Sequence, residues 1–280
     1  MLFYGIPIKI SDQQTYNRFY SMYDTKGKII GTQWLGDDKW LGTEKQDVEN
    51  SSFYKLPNLE DSDYIFKTFL AYWYSDDFKT IAEANPLKSL SILNLEQTGL
   101  NSAGLQLLSS SDCFSNLENL SLGNNNLDDE ALFFLSKCKA LTFLKDLNLS
   151  SNEIGALGAK VLSLAEGMNN LERLNFSYNR LEPLGIKSLA DSKLGRQLNE
   201  VDLRDTGVGD EGLKLLAQVP PLEKIVKIDL SDNGLTHEGM EALARSEVFP
   251  NLKVLILNNN HLGDDGVYAM AESPMFANLE

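Results

Sequence analysis

Four groupings in this sequence carry residue types and spacings that do chemistry elsewhere. Gly207, Gly209 and Gly212 form G-x-G-x-x-G between a strand-like and a helix-like segment, the arrangement that cradles a dinucleotide pyrophosphate on backbone amides. Asp229, Asn233 and Gly234 open like a calcium loop, but its twelfth position is Met240, where a bidentate Glu is required. His237 and His261 are the only histidines, and nothing in the sequence places either beside a nucleophile. Cys113 and Cys138 have no metal-ligand spacing and read as buried free thiols. No catalytic, cofactor-binding or metal-binding residue is therefore expected, and the chain reads as a non-enzyme. A repeat accounts better for Gly212.

From Leu90 onward, seven segments follow one pattern: LSILNLEQTGL, LENLSLGNNNL, LKDLNLSSNEI, LERLNFSYNRL, LNEVDLRDTGV, IVKIDLSDNGL and LKVLILNNNHL, with starts 27 residues apart. Leu279 and Glu280 fall on an eighth start. The LxLxL alternation predicts a short strand with one buried face. The ninth place is polar in every unit (Thr98, Asn125, Asn152, Asn179, Thr206, Asn233, Asn260), suited to bonding the backbone as the chain leaves the strand. Six places on come Gly104, Ala131, Gly158, Gly185, Gly212, Gly239 and Gly266, and four beyond these a Leu or Met, the spacing of a helix that approaches a sheet closely. Seven strand-helix units stacked in one right-handed curved solenoid are predicted, with a parallel sheet on the concave face.

The pattern LxxLxLxxN/TxL resembles the leucine-rich repeat, and the glycine-bearing second half of each unit resembles its ribonuclease-inhibitor-like class, over about 190 residues or two thirds of the chain. The resemblance implies an α/β solenoid that binds a protein partner on its concave face. The same class includes activators of a small nuclear GTPase, so a GTPase-activating protein is the first alternative. A bacterial effector that targets a host protein is the second.

The other regions are read from composition. Of the 26 aromatic residues, 17 precede residue 87, so residues 1–62 form an aromatic-rich region of their own and 63–89 a degenerate capping repeat, followed by the repeats at 90–280. Within 1–62, GKIIGTQWLGDDKWLG predicts a hairpin turning at Gly36-Asp37-Asp38 with Trp34 opposite Trp40, and 46–52 a loop. Ser75 is placed to cap a helix in the capping repeat. Forty acidic against 25 basic residues give a net charge of −15, which opposes nucleic acid and anionic membranes as partners. The first residues lack a signal-peptide pattern, so a cytoplasmic location, or export by another route, is expected.

Binding is expected where strand side chains alternate outward. The central outward row reads Asn94, Ser121, Asn148, Asn175, Asp202, Asp229, Ile256, and flanking places add Arg173, Tyr178, Glu200, Arg204, Asp205, Lys227, Asp232 and Val254. Of these, Asn148, Arg173, Asn175, Tyr178, Glu200, Asp202, Arg204, Asp205, Asp229, Asp232 and Ile256 are the candidate partner-binding residues, for a protein with a basic patch. The seventh unit, with nothing after it to cover it, is expected either to come from a longer protein or to self-associate through that end.

Overall fold

Leu93, Leu120, Leu147, Leu174, Val201 and Ile228, the central residues of successive three-residue strands, are stacked in one buried row. The structure is a computed structural model, and it describes residues 91–110 and 114–280, together with the backbone of Leu2–Lys9 (β1), Tyr16–Tyr23 (β2), Ile29–Leu35 (β3) and Ile65–Lys67 (β4). The repeat strands are Ile92–Asn94 (β5), Asn119–Ser121 (β6), Asp146–Asn148 (β7), Arg173–Asn175 (β8), Glu200–Asp202 (β9), Lys227–Asp229 (β10) and Val254–Ile256 (β11). With β4 they form one parallel sheet in sequence order. Each pairing joins residues 27 apart, as in Asn119 with Asp146 and Lys227 with Val254, and Ile65 pairs with Ile92 at that same offset.

β1, β2 and β3 make a separate antiparallel sheet, in which Trp34 lies opposite Phe19. The second arm of the expected hairpin, the loop at 46–52, the helix at Ser75 and Cys113 lie outside the described residues. Cys138 is a buried free thiol, and burial pushes its pKa up.

Between strands run Ser102–Ser109 (α1), Asp129–Lys137 (α2), Ala156–Leu162 (α3), Glu182–Ala190 (α4), Lys193–Gln197 (α5), Gly209–Leu216 (α6), His237–Ala244 (α7) and Gly263–Glu272 (α8), with a 3₁₀ turn at Pro274–Phe276. Side chains cap several of them: Asn101 accepts from the Gly104 amide, Asp128 from Ala131 and Thr236 from Glu238. α1, α2, α3 and α6 each bury the small residue of the repeat and the Leu four places on, one turn apart on the sheet side.

The small residue is required by an interaction between units. A Cβ at Gly239 would stand 2.4 Å from Asp210 Oδ1 and 2.9 Å from Asp210 Cα. Asp210 uses that space to reach the next helix, where its carboxylate accepts from the Thr236 amide at 2.8 Å and the Thr236 hydroxyl at 2.6 Å. Burial pushes the Asp210 pKa up, but these bonds and one from the Gly239 amide outweigh it and hold the carboxyl below its usual value. Asp129 repeats the device three units earlier, accepting from the Gly155 amide at 2.7 Å beside Gly158. Gly212 is buried for a different reason: a Cβ there would stand 2.6 Å from Val208 Cγ1 of its own unit, so it is a packing residue.

The ninth-place side chains make a second ladder. Asn125 Oδ1 accepts from the amides of Thr98 and Leu100 in the preceding unit, while its Nδ2 donates to the carbonyls of Leu95 and Leu122. Asn152, Asn179, Asn233 and Asn260 make equivalent bonds. Thr206 has no amide to offer, and donates its hydroxyl to Leu203 O at 2.7 Å. In the loop it faces, the Glu182 amide bonds Thr206 O at 3.0 Å, and Glu182 sits at φ 57°, a left-handed place shared by Gly209 and Gly263 in later units.

At the far edge, Val254, Leu255, Ile256 and Leu257 are only half-buried. Met275 and Phe276 fold into the core beneath α8, and the Glu280 amide donates to Lys253 O at 2.8 Å, where another strand would bond.

Candidate partner-binding surface

The central outward row is more committed to the backbone than its alternation implies. Asn94, Asn148, Asn175, Asp202 and Asp229 each accept, through Oδ1, from the amide two residues on. Because the strands are three residues long, the chain bends at once, and that amide faces back over the strand. The recurrence of Asn or Asp at this place in five units is the sequence sign of that turn. Ser121 and Asn148 are further tied together by Glu96, whose Oε1 accepts from Ser121 Oγ at 2.5 Å and from Asn148 Nδ2 at 2.8 Å. Glu96 was not among the expected site residues. The bond to Asn148 spans two units, beyond the reach of a single-period reading.

Asp229, a candidate partner-binding residue, is already paired on this face. It is 5% exposed, and Arg204 Nη2 lies 2.6 Å from its Oδ2. Hydrogen bonds that Arg204 makes to Asp229 and Tyr178 raise the Arg204 pKa, and although burial pushes the Asp229 carboxyl up, its hydrogen bonds from Ser231 and Arg204 outweigh this and hold it low. Several other charges on this face also pair internally. Arg173 Nε lies 2.7 Å from Asp146, a residue absent from the expected set, and Lys227 lies 3.7 Å from Glu200. Ile256 stands half-buried on β11, in register beside Asp229.

What remains open lies along the rim where the chain leaves the strands. Gln97, Asn124, Ser151, Tyr178, Asp205, Asp232 and Asn259, the eighth residues of the units, all have φ between 49° and 58°. The amides of Tyr178, Asp205 and Asp232 bond the carbonyls of Arg204, Ser231 and Asn258 in the next unit, and these bonds hold the left-handed turn. Asn, Asp and Ser tolerate that conformation, whereas a bulky side chain there is uncommon and marks a site worth a functional reading. Tyr178 is the bulky exception and is 48% exposed. Beside it, Asp205 and Asp232 have no ion-pair partner among the described residues. Tyr178, Asp205 and Asp232 therefore make a contiguous, solvent-facing row over three units.

Asp202 is the least comfortable carboxylate. Burial pushes its pKa up, the bond from the Arg204 amide pulls it down, nearby Asp229 raises it again, and the net shift is upward. A raised carboxyl pKa means that the folded state disfavours the charge, so Asp202 opposes folding at pH 7 and this opposition fades as pH falls toward the ordinary value of 3.8. Asp202→Asn keeps the acceptor for Arg204 and should raise stability at pH 7 by a few tenths to about 1 kcal/mol, with the gain vanishing near pH 4. Urea unfolding at the two pH values tests it; a loss of stability at pH 7 would contradict the burial argument.

Among the described residues no group of His, Cys, Asp and Glu is arranged to hold a metal, and no helix is long and apolar enough to cross a membrane.

A family model for the leucine-rich repeat matches residues 140–163, 167–190, 196–217, 223–244 and 250–271. No curated protein matches the chain significantly. Similar solved structures include an internalin (inlF) from Listeria monocytogenes, 19% identical, with a TM-score of 0.43 over 71% of this chain and 56% of that one. The chain thus spans just over half of the internalin's length. The five matched leucine-rich repeats lie within one unbroken parallel ladder bonded by Asn and Thr from unit to unit, so residues 140–271 form a leucine-rich-repeat array.

Proposed function

We propose that this repeat array is a non-enzymatic scaffold that binds a protein with a basic patch across the strand face and exit rim of its fourth to sixth units. The observation that carries this reading is the row Tyr178, Asp205 and Asp232, exposed or half-buried, two of its members unpaired carboxylates. Around it, Arg204, Arg173 and Lys227 are held by Asp229, Asp146 and Glu200, so a cationic partner meets the rim carboxylates without first displacing an internal cation. Tyr178 supplies the aromatic anchor that interfaces concentrate at their centres. Asp202 adds a further acceptor within the face.

Capture of partners by the immobilised chain from its own cell extract, with wild type beside Asp205→Lys/Asp232→Lys, tests the proposal. The double variant should weaken a captured partner by about tenfold or more, whereas Glu211→Lys on the exposed side of α6 should change it little. Undiminished capture by the rim variant would move the site elsewhere.

A further inference from the structure

On the helix side of the last units, α7, α8 and the segments after them enclose a groove of about 890 Å³, near the upper end of the ~300–1,000 Å³ of ligand pockets. Its floor is apolar, built from Ala244, Ala269 and the buried Met275. Ser273 fixes that floor by donating its hydroxyl to Ala244 O at 2.5 Å. Five carboxylates line the groove: Glu223, Glu241, Glu247, Asp265 and Glu272. Arg245, the one cation lining it, is engaged with Glu241 at 2.8 Å, and the other four carboxylates have no ion-pair partner among the described residues. Tyr268, 67% exposed, stands at its edge.

We propose that this groove is a second docking site, distinct from the strand face, for an extended basic protein segment that alternates cationic with apolar side chains. Successive side chains of an extended segment point to opposite sides. One set would rest on Tyr268, Ala269 and Met275, and the other would meet the four free carboxylates. Charge selects this occupant, because a second copy of this chain carries −15 and is repelled, as is any anionic surface.

The probe is a fluorescein-labelled eight-residue peptide alternating Arg with Leu, read by anisotropy against the whole chain. Its counterparts carry Ser for Leu, or Glu for Arg. Binding of the Arg-Leu peptide is expected, with about tenfold or greater weakening for each counterpart and for Glu247→Lys/Glu272→Lys. Tyr268→Ala, at an exposed position that does not endanger folding, should weaken the Arg-Leu peptide about threefold or more and leave the Arg-Ser peptide unchanged. Asp205→Lys/Asp232→Lys should bind the probe within about twofold of wild type, after allowance for the change in net charge. Absence of binding, equal binding of the Arg-Ser peptide, or indifference to both groove variants would overturn the inference. Loss on the rim variant alone would assign the peptide to the rim, removing this site while leaving the first reading intact.

Discussion

Asn179→Ala should lower the unfolding free energy by about 3–5 kcal/mol, a large share of the 5–15 kcal/mol typical of folded proteins. The side chain is 5% exposed and makes four bonds to main chain: it accepts from the Ile154 amide at 3.0 Å and donates to the carbonyls of Leu149, Phe176 and Ser177 at 2.9, 2.9 and 3.2 Å. Truncation leaves these groups buried in a space without replacement donors, and each unsatisfied group costs about 1–3 kcal/mol, reduced where a carbonyl retains another partner. Asn179→Thr should recover part of the loss, because Thr206 shows that a hydroxyl at this place can donate to the carbonyl three residues earlier. It cannot recover the bond to the preceding unit. Chemical denaturation of the three proteins reads the order wild type, Thr, Ala; an Ala cost under about 1 kcal/mol would show that water replaces the ladder.

Leu149→Ala should cost about 2–5 kcal/mol, through lost burial and the cavity left behind. Leu149 is 0% exposed and lies in a middle unit, with helices and strands on every side. Leu257 holds the same place in the last unit but is only half-buried, so less contact is lost and no closed cavity forms. Leu257→Ala should therefore cost about half as much or less. Identical substitutions at one repeat position thus test the stack as a series of neighbour contacts, in which a unit at the edge has one neighbour fewer. Equal costs would mean that the edge is buried in solution by something further.

Much of this architecture was legible because it is one-dimensional. A contact between one unit and the next is always a contact between residues 27 apart, so a pattern recurring at that spacing encodes both strand register and the Asn and Thr ladder. The buried Leu rows and the close-packed Gly158, Gly212 and Gly239 follow from the same count. The binding surface was less legible. Alternation correctly brings Asn148, Asn175, Asp202 and Asp229 to one face, but it is silent on what a neighbouring side chain does with them.

The 27-residue pattern encodes the period and the alternation of side chains along the repeat strands. The tertiary structure alone decided which outward groups are spent and which are free. Arg204 crosses to the next strand and buries Asp229, Glu96 reaches Asn148 two units away, and Asp210 crosses to cap another helix. Each outcome depends on side-chain length, on strands packed about 4.8 Å apart and on hydrogen-bond competition at short chain bends. The left-handed rim is of the same kind: next-unit carbonyls hold Tyr178, Asp205 and Asp232 in a conformation that local preference alone does not select for Tyr178, and this leaves an aromatic ring and two carboxylates facing solvent in adjacent units.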